Sequence, residues 1–127
     1  MAPKRYAAAT RMGRLAKAKQ FQLAANTIST IMDDQVIADA YVTLCVQAGI
    51  AAADVICCAK LGEHHQGENH NEAIALVARV DKTAAKNLNV LLDLKTKSSY
   101  SPDLTSEADQ KRAGRAAAAL VSAAQSA

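Results

Sequence analysis

Apolar positions recur along the first quarter of the chain at steps of three and four: Met12, Leu15, Ala18, Gln22, Ala25, Ile28 and Met32, with Gln22 the one polar member. This spacing predicts an amphipathic helix from Tyr6 to Met32. Asp33 and Asp34 follow, short carboxylates suited to accept bonds from the free amides at the start of a second helix. Between Ala40 and Ala59 of that helix the only charged residue is Asp54. Its stripe of Ile37, Tyr41, Leu44, Ala48, Ala51, Val55 and Cys58 is flanked by further apolar residues, so the helix needs cover on most sides and should be central. A polar stretch with two glycines, LGEHHQGENHN from Leu61 to Asn71, ends it, and Gly62 suits a left-handed terminal position.

A short third helix is expected from about Asn71 to Arg79, burying Ile74 and Val77, with Val80 at its edge; a fourth begins near Asp81. In the fourth, Ala84, Leu88, Leu91 and Lys95 fall at spacings of four, three and four, with Leu92 alongside. Lys95 therefore extends the apolar stripe rather than the wet face. Ser98 to Pro102 should break this helix, since serine competes for backbone hydrogen bonds and proline disfavours helical geometry before it. Ser106 with Asp109 resembles a capping box that opens a last helix, whose inner face runs Ala113, Ala116, Leu120 and Ala124.

Composition strengthens the helical reading. Half of the 127 residues are hydrophobic, alanine supplies much of that share, and Tyr6, Phe21, Tyr41 and Tyr100 are the only aromatics. Small side chains let helix axes approach, and alanine has the best helix propensity. The expected fold is all-α, a compact bundle of four to five helices forming a single domain over 1–127, with residues 1–5 a basic flexible N-terminus. The second helix is long enough to span a bilayer. Thr43, Gln47, Gly49 and above all Asp54 interrupt it, however, and no aromatic belts flank it, so no membrane partner is expected.

The net charge is only +3, yet Lys4, Arg5, Arg11, Arg14, Lys17 and Lys19 all precede the first acidic residue, Asp33. Such an arm attracts nucleic acid phosphates or anionic lipid, or is simply a solvated helix face. Cys45, Cys57 and Cys58 are odd in number and two are adjacent, a poor disulfide framework, so they read as core thiols in a reducing compartment. No apolar segment follows the N-terminal charges as in a secretory signal, and a cytoplasmic location is expected.

The sequence holds no P-loop, dinucleotide-binding glycine pattern, CxxC pair or nucleophile elbow. Three polar features in apolar settings remain. Asp54 must find a partner, take up a proton or face a cleft. His64, His65 and His70, interspersed with Glu63 and Glu68, offer zinc-type ligands without a recurring ligand spacing, so neither a metal nor another cofactor is expected; His70 is placed to cap the third helix or bond into the bundle. Lys95 and Tyr100 lie five residues apart where the fourth helix ends. Lysine supplies charge for a phosphate and tyrosine a stacking face, or else the two are a snorkelling stem and a turn anchor. Asp54 and Lys95 are expected to approach one another, because pairing offsets burial.

The segment LLDLKTKSSYSP (91–102), followed by a capped terminal helix, resembles the HEPN (higher eukaryotes and prokaryotes nucleotide-binding) domains, in which a leucine-rich helix ends in an arginine, a short spacer and a histidine or tyrosine. HHQGENHNEA (64–73) is similar to the family's loop ending in histidine. The resemblance spans about Ala40 to Ala124 and implies a helical bundle, commonly a homodimer, found in metal-independent ribonucleases, in toxins paired with a nucleotidyltransferase antitoxin, and in non-catalytic binding modules. It places Lys95 and Tyr100 at the catalytic positions; lysine lacks the guanidinium fork, and phenol is a poor general base at neutral pH. The expected function is RNA or nucleotide binding in a cleft formed by Asp54, His70, Lys95 and Tyr100, with Arg11, Arg14 and Lys17 supplying phosphate contacts, either without catalysis or as a divergent ribonuclease of a toxin-antitoxin or phage-defence system. The alternative is a protein-interaction module or subunit of such an assembly, and DNA binding through the basic first helix is a third reading.

Overall fold

The long apolar run of the second quarter forms a helix that every other helix of the chain packs against. A computed structural model describes residues 4–31, 34–67 and 69–127, and side chains within 8–31, 37–67 and 69–127. The described residues form α1 (Lys4–Ile31), α2 (Asp34–Leu61), α3 (His70–Ala78), α4 (Lys82–Tyr100) and α5 (Glu107–Ser126). The fold is an all-α bundle of helices. Residues 1–3 of the expected N-terminal arm, Met32 of the expected α1 stripe and the proposed cap Asp33 lie outside the described residues, and the basic Lys4 and Arg5 of that arm are already part of the first helix. α1 packs most extensively on α2, while α4 and α5 cover other sides of it and pack on each other. The segment Ile37–Leu61 has the length and hydropathy of a membrane span, and about two-thirds of its apolar window is buried among its neighbours, as in a core helix.

Small residues permit this central position. Ala48, Ala51 and Ala52 of α2 are fully buried, and Gly49 beside them has no room for a side chain: a Cβ there would collide with Leu91 of α4 and lie 3.2 Å from Leu120 of α5. Gly114 of α5 similarly leaves space for the phenol of Tyr41. The inner face of α5, Ala113, Ala116, Leu120 and Ala124, is buried as its spacing implied.

On α1 the inward stripe departs from expectation. Ala18 and Ala25 are buried and Leu15 and Phe21 pack against the core, but Met12 is 72% exposed. The inward face begins at Arg14 and continues through Ala18, Phe21 and Ala25; Met12, two residues before Arg14, sits about 200° round the helix from it.

Helix ends follow local chemistry. Gly62 adopts φ 73° after α2, and its amide bonds the Cys58 carbonyl at 3.1 Å. Asn69, not His70, caps α3, because its short side chain reaches the Glu72 amide at 3.0 Å; His70 becomes the first helical residue. Asp81 caps α4 and Ser106 caps α5. α4 runs through Ser98 and Ser99 to Tyr100, longer than the serines suggested, and ends at Ser101, which is extended ahead of Pro102. Ser98 does not compete for its own backbone: its hydroxyl donates to Asp39 Oδ1 at 2.9 Å.

Asp39 of α2 also accepts from the Thr105 amide (3.2 Å) and hydroxyl (2.6 Å), tying the α4–α5 connection to the central helix. The Thr105 hydroxyl bond, against the opposing effect of burial, holds the Asp39 carboxyl below its ordinary value of 3.8. A carboxyl with a lowered folded pKa stabilises above its unfolded value and loses that contribution as pH falls through the folded one.

Two outcomes follow from this packing. Gly49→Ala should destabilise by about 1–3 kcal/mol in urea denaturation, since Leu91 is fully enclosed and cannot swing aside. Asp39→Ala should cost about 1–2 kcal/mol at pH 7, and its deficit relative to wild type should shrink as pH is lowered below 4.

Candidate nucleotide-binding cleft

A cleft of about 570 Å³ opens between α2, α3 and α4, with Arg14 of α1 and residues of the α2–α3 connection completing its lining. Buried Ala53, Val77, Leu88 and Leu92 give it an apolar floor, and Arg14, Asp54, His65, Asn69, His70, Lys95, Ser99 and Tyr100 give it polar walls and rim. The volume is in the range of sites that enclose small ligands. Asp54, His70, Lys95 and Tyr100, proposed from sequence, thus line one cleft.

Each reaches it for a local reason. Lys95 continues the Ala84–Leu88–Leu91 stripe, so its stem follows the apolar face of α4 and the side chain joins the cleft lining. Tyr100, in the last turn of α4, is 84% exposed at the rim. No unravelling of α4 is required to bring it there. His70 arrives because Asn69 takes the capping role at α3.

Asp54 does not pair with Lys95. Arg14, forty positions earlier on α1, donates from Nε to Asp54 Oδ2 at 2.8 Å, with 27% of the arginine and 15% of the aspartate side chain exposed. Burial pushes the Asp54 carboxyl above its ordinary value, and the Arg14 guanidinium and, more weakly, His64 pull against it. His64 Nδ1 lies 3.8 Å from Asp54 Oδ1. Asp54 of α2 is thus paired by α1, and among the described residues no ion pair involves Lys95.

Of the three basic residues proposed on α1, Arg14 lines the cleft, whereas Arg11 and Lys17 are exposed and do not. From sequence His65 stands out only as part of a possible metal cluster. Its Nε2 is buried without a hydrogen bond, 3.5 Å from Glu72 Oε2, and its ring lines the cleft. Among the described residues no group of three or more His, Cys, Asp or Glu is placed to hold a metal. Cys57 is on the cleft wall, but burial pushes its thiol up to about 12, so it remains protonated and a poor nucleophile.

Among the described residues the cleft is therefore lined by two cations, Arg14 and Lys95, and one carboxylate, beside an apolar floor and an exposed aromatic ring. It suits an anionic ligand with a flat apolar part. No protein-family model, curated protein or solved structure matches the chain.

Removing Arg14 strands a buried carboxylate. Arg14→Met should lower stability by about 1–3 kcal/mol at neutral pH, and Arg14→Met combined with Asp54→Leu should recover most of the loss. Because the folded pKa of Asp54 is raised, its charged form is disfavoured in the fold above that pKa and relieved below it. The deficit of Arg14→Met should therefore shrink toward acid pH, as urea denaturation at several pH values would show.

Proposed function

We propose that this protein is a HEPN-like, cytoplasmic binding domain that takes a nucleotide, free or as part of single-stranded RNA, in the cleft between α2, α3 and α4. One observation carries the reading: Lys95 lines the cleft beside its apolar floor, and among the described residues no carboxylate pairs with it, Asp54 being held by Arg14. A cation so placed is best satisfied by a ligand anion, and the floor beside it accepts a sugar and base. The exposed Tyr100 ring at the rim offers a stacking face for an adjacent base. The resemblance of residues 91–102 to the HEPN helix end is consistent with this site.

Binding, rather than turnover, is the reading these groups support, since a lysine and a rim phenol stand where the ribonucleases of the family use arginine and histidine. A second reading draws on α1, where Met12, Leu23 and Ile31 are exposed. Large apolar side chains in water favour a module that docks on a protein, either a second copy of the chain or a cognate nucleotidyltransferase antitoxin.

Calorimetry with adenosine monophosphate and a short single-stranded RNA tests the proposal. Lys95→Ala should weaken both by about tenfold or more. Tyr100→Ala should cost RNA binding about 1–3 kcal/mol, with Tyr100→Phe nearly unaffected, because stacking needs the ring and not the hydroxyl. Neutralising Arg11 and Lys17 should flatten the salt dependence of RNA binding while leaving the mononucleotide unaffected. If wild-type protein binds neither ligand at low salt, the interaction module becomes the better reading.

A further inference from the structure

Resting on that reading of the cleft, we infer that Arg14 is the fork that grips the ligand's phosphate, that Asp54 is its positioning residue, and that the group gripped is a terminal phosphate monoester. The resemblance to HEPN domains directs attention to α4, where Lys95 offers a point charge. The structure brings the missing planar fork to the same cleft from another helix, α1.

The geometry of the ion pair is the first ground. Arg14 reaches Asp54 through Nε alone. A guanidinium has five N–H donors, and among the described residues no other hydrogen bond from Arg14 is formed, so its two terminal nitrogens keep their donors for a ligand. Fixing Nε locks the plane of the group, which is how a long side chain becomes a pre-oriented fork for two oxygens of one anion.

The number and origin of the donors favour phosphate over carboxylate. Arg14 comes from α1, His70 from the first turn of α3, and Lys95 from α4, so donors converge on the cleft from three helices. A carboxylate has two oxygens to share among them, whereas a phosphate monoester has three and a larger charge. A diester would replace one of those oxygens with a substituted, weakly accepting one. Asp54 also explains itself in this arrangement: a buried carboxylate whose charge is disfavoured by burial contributes little to stability, but its loss would free the guanidinium to rotate.

The decisive experiment compares adenosine, adenosine monophosphate and the methyl ester of adenosine monophosphate by calorimetry, with thermal denaturation confirming that each variant is folded. Wild type should prefer the monophosphate over its methyl ester. Arg14→Lys keeps the charge but removes the fork; it should weaken monophosphate binding about tenfold, remove the preference over the ester and leave adenosine unchanged. Asp54→Ala and Asp54→Asn lose the same charge but differ in the acceptor for Nε, so the alanine variant should bind the monophosphate several-fold more weakly than the asparagine one. Equal affinities for those two variants would overturn the positioning role. Monophosphate binding that is insensitive to Arg14→Lys but lost in Lys95→Ala would overturn the inference and leave the cleft assignment standing. Should Arg14→Lys be unstable, equal wild-type affinity for the monophosphate and its ester already overturns the terminal-phosphate claim. Failure of every nucleotide to bind wild type would overturn both the inference and the function it rests on.

Discussion

A helix that is apolar on nearly every side must be covered on nearly every side, and the rest of the bundle is arranged by that demand on α2. Covering it with four helices requires close approach, which explains why its middle is made of alanine and glycine: Gly49 sits where Leu91 and Leu120 converge, and no larger residue fits. Close packing of small residues contributes through many weak contacts, not through large buried side chains. Such a core has few ways to absorb a charge, and the carboxylates of Asp39 and Asp54 on α2 each have dedicated partners. Asp39 is satisfied by Ser98 and Thr105, and Asp54 by Arg14.

These two carboxylates show how the same residue type diverges with its surroundings. Asp39 gathers neutral donors at the surface end of the helix, and its carboxyl is held below the ordinary value. Asp54 is enclosed, and even a guanidinium at 2.8 Å does not outweigh the effect of burial on its carboxyl. One fastens the α4–α5 connection. The other contributes little as a fastening, and its position at the cleft wall accounts for it better than stability does.

Much of this organisation was legible in the residues. Periodicity placed α2 at the centre, Gly62 at its end and the inner face of α5, because each depends on neighbours within one or two turns. The Ser106 cap is local in the same sense, its hydroxyl accepting from the Asp109 amide, whereas the Asp109 carboxylate pairs with Lys97 and Arg112 and so does not complete a reciprocal capping box. What was not legible depended on which helices meet. Lys95 was recognised as inward, but its pairing with Asp54 was expected on charge alone, and the nearer cation turned out to lie on α1. A sequence signal for Arg14 did exist: it stands four residues before Ala18 and seven before Phe21, at the head of the buried stripe. A stripe drawn through Met12 instead concealed it. The serines at 98 and 99 misled for a related reason, since the acceptor that frees Ser98 from its own backbone lies 59 residues away.

The cleft itself arises from a mismatch of helix lengths. α1 and α2 each have 28 residues, about 42 Å at the usual rise, whereas α3 has nine and spans about 14 Å. α3 packs mainly on α4 and only lightly on α2, so one flank of the central helix near Asp54 is left partly uncovered. Water can enter there, and a charge in the middle of α2 can be tolerated. The same gap is lined by Arg14 of α1, His65 of the α2–α3 connection and Lys95 of α4, side chains that function in both apolar and aqueous surroundings. A longer α3 would have covered more of α2 and narrowed the cleft; the short one leaves an apolar floor with Arg14 and Lys95 beside it, and that incompleteness in the cover of α2 is the structural origin of the cleft.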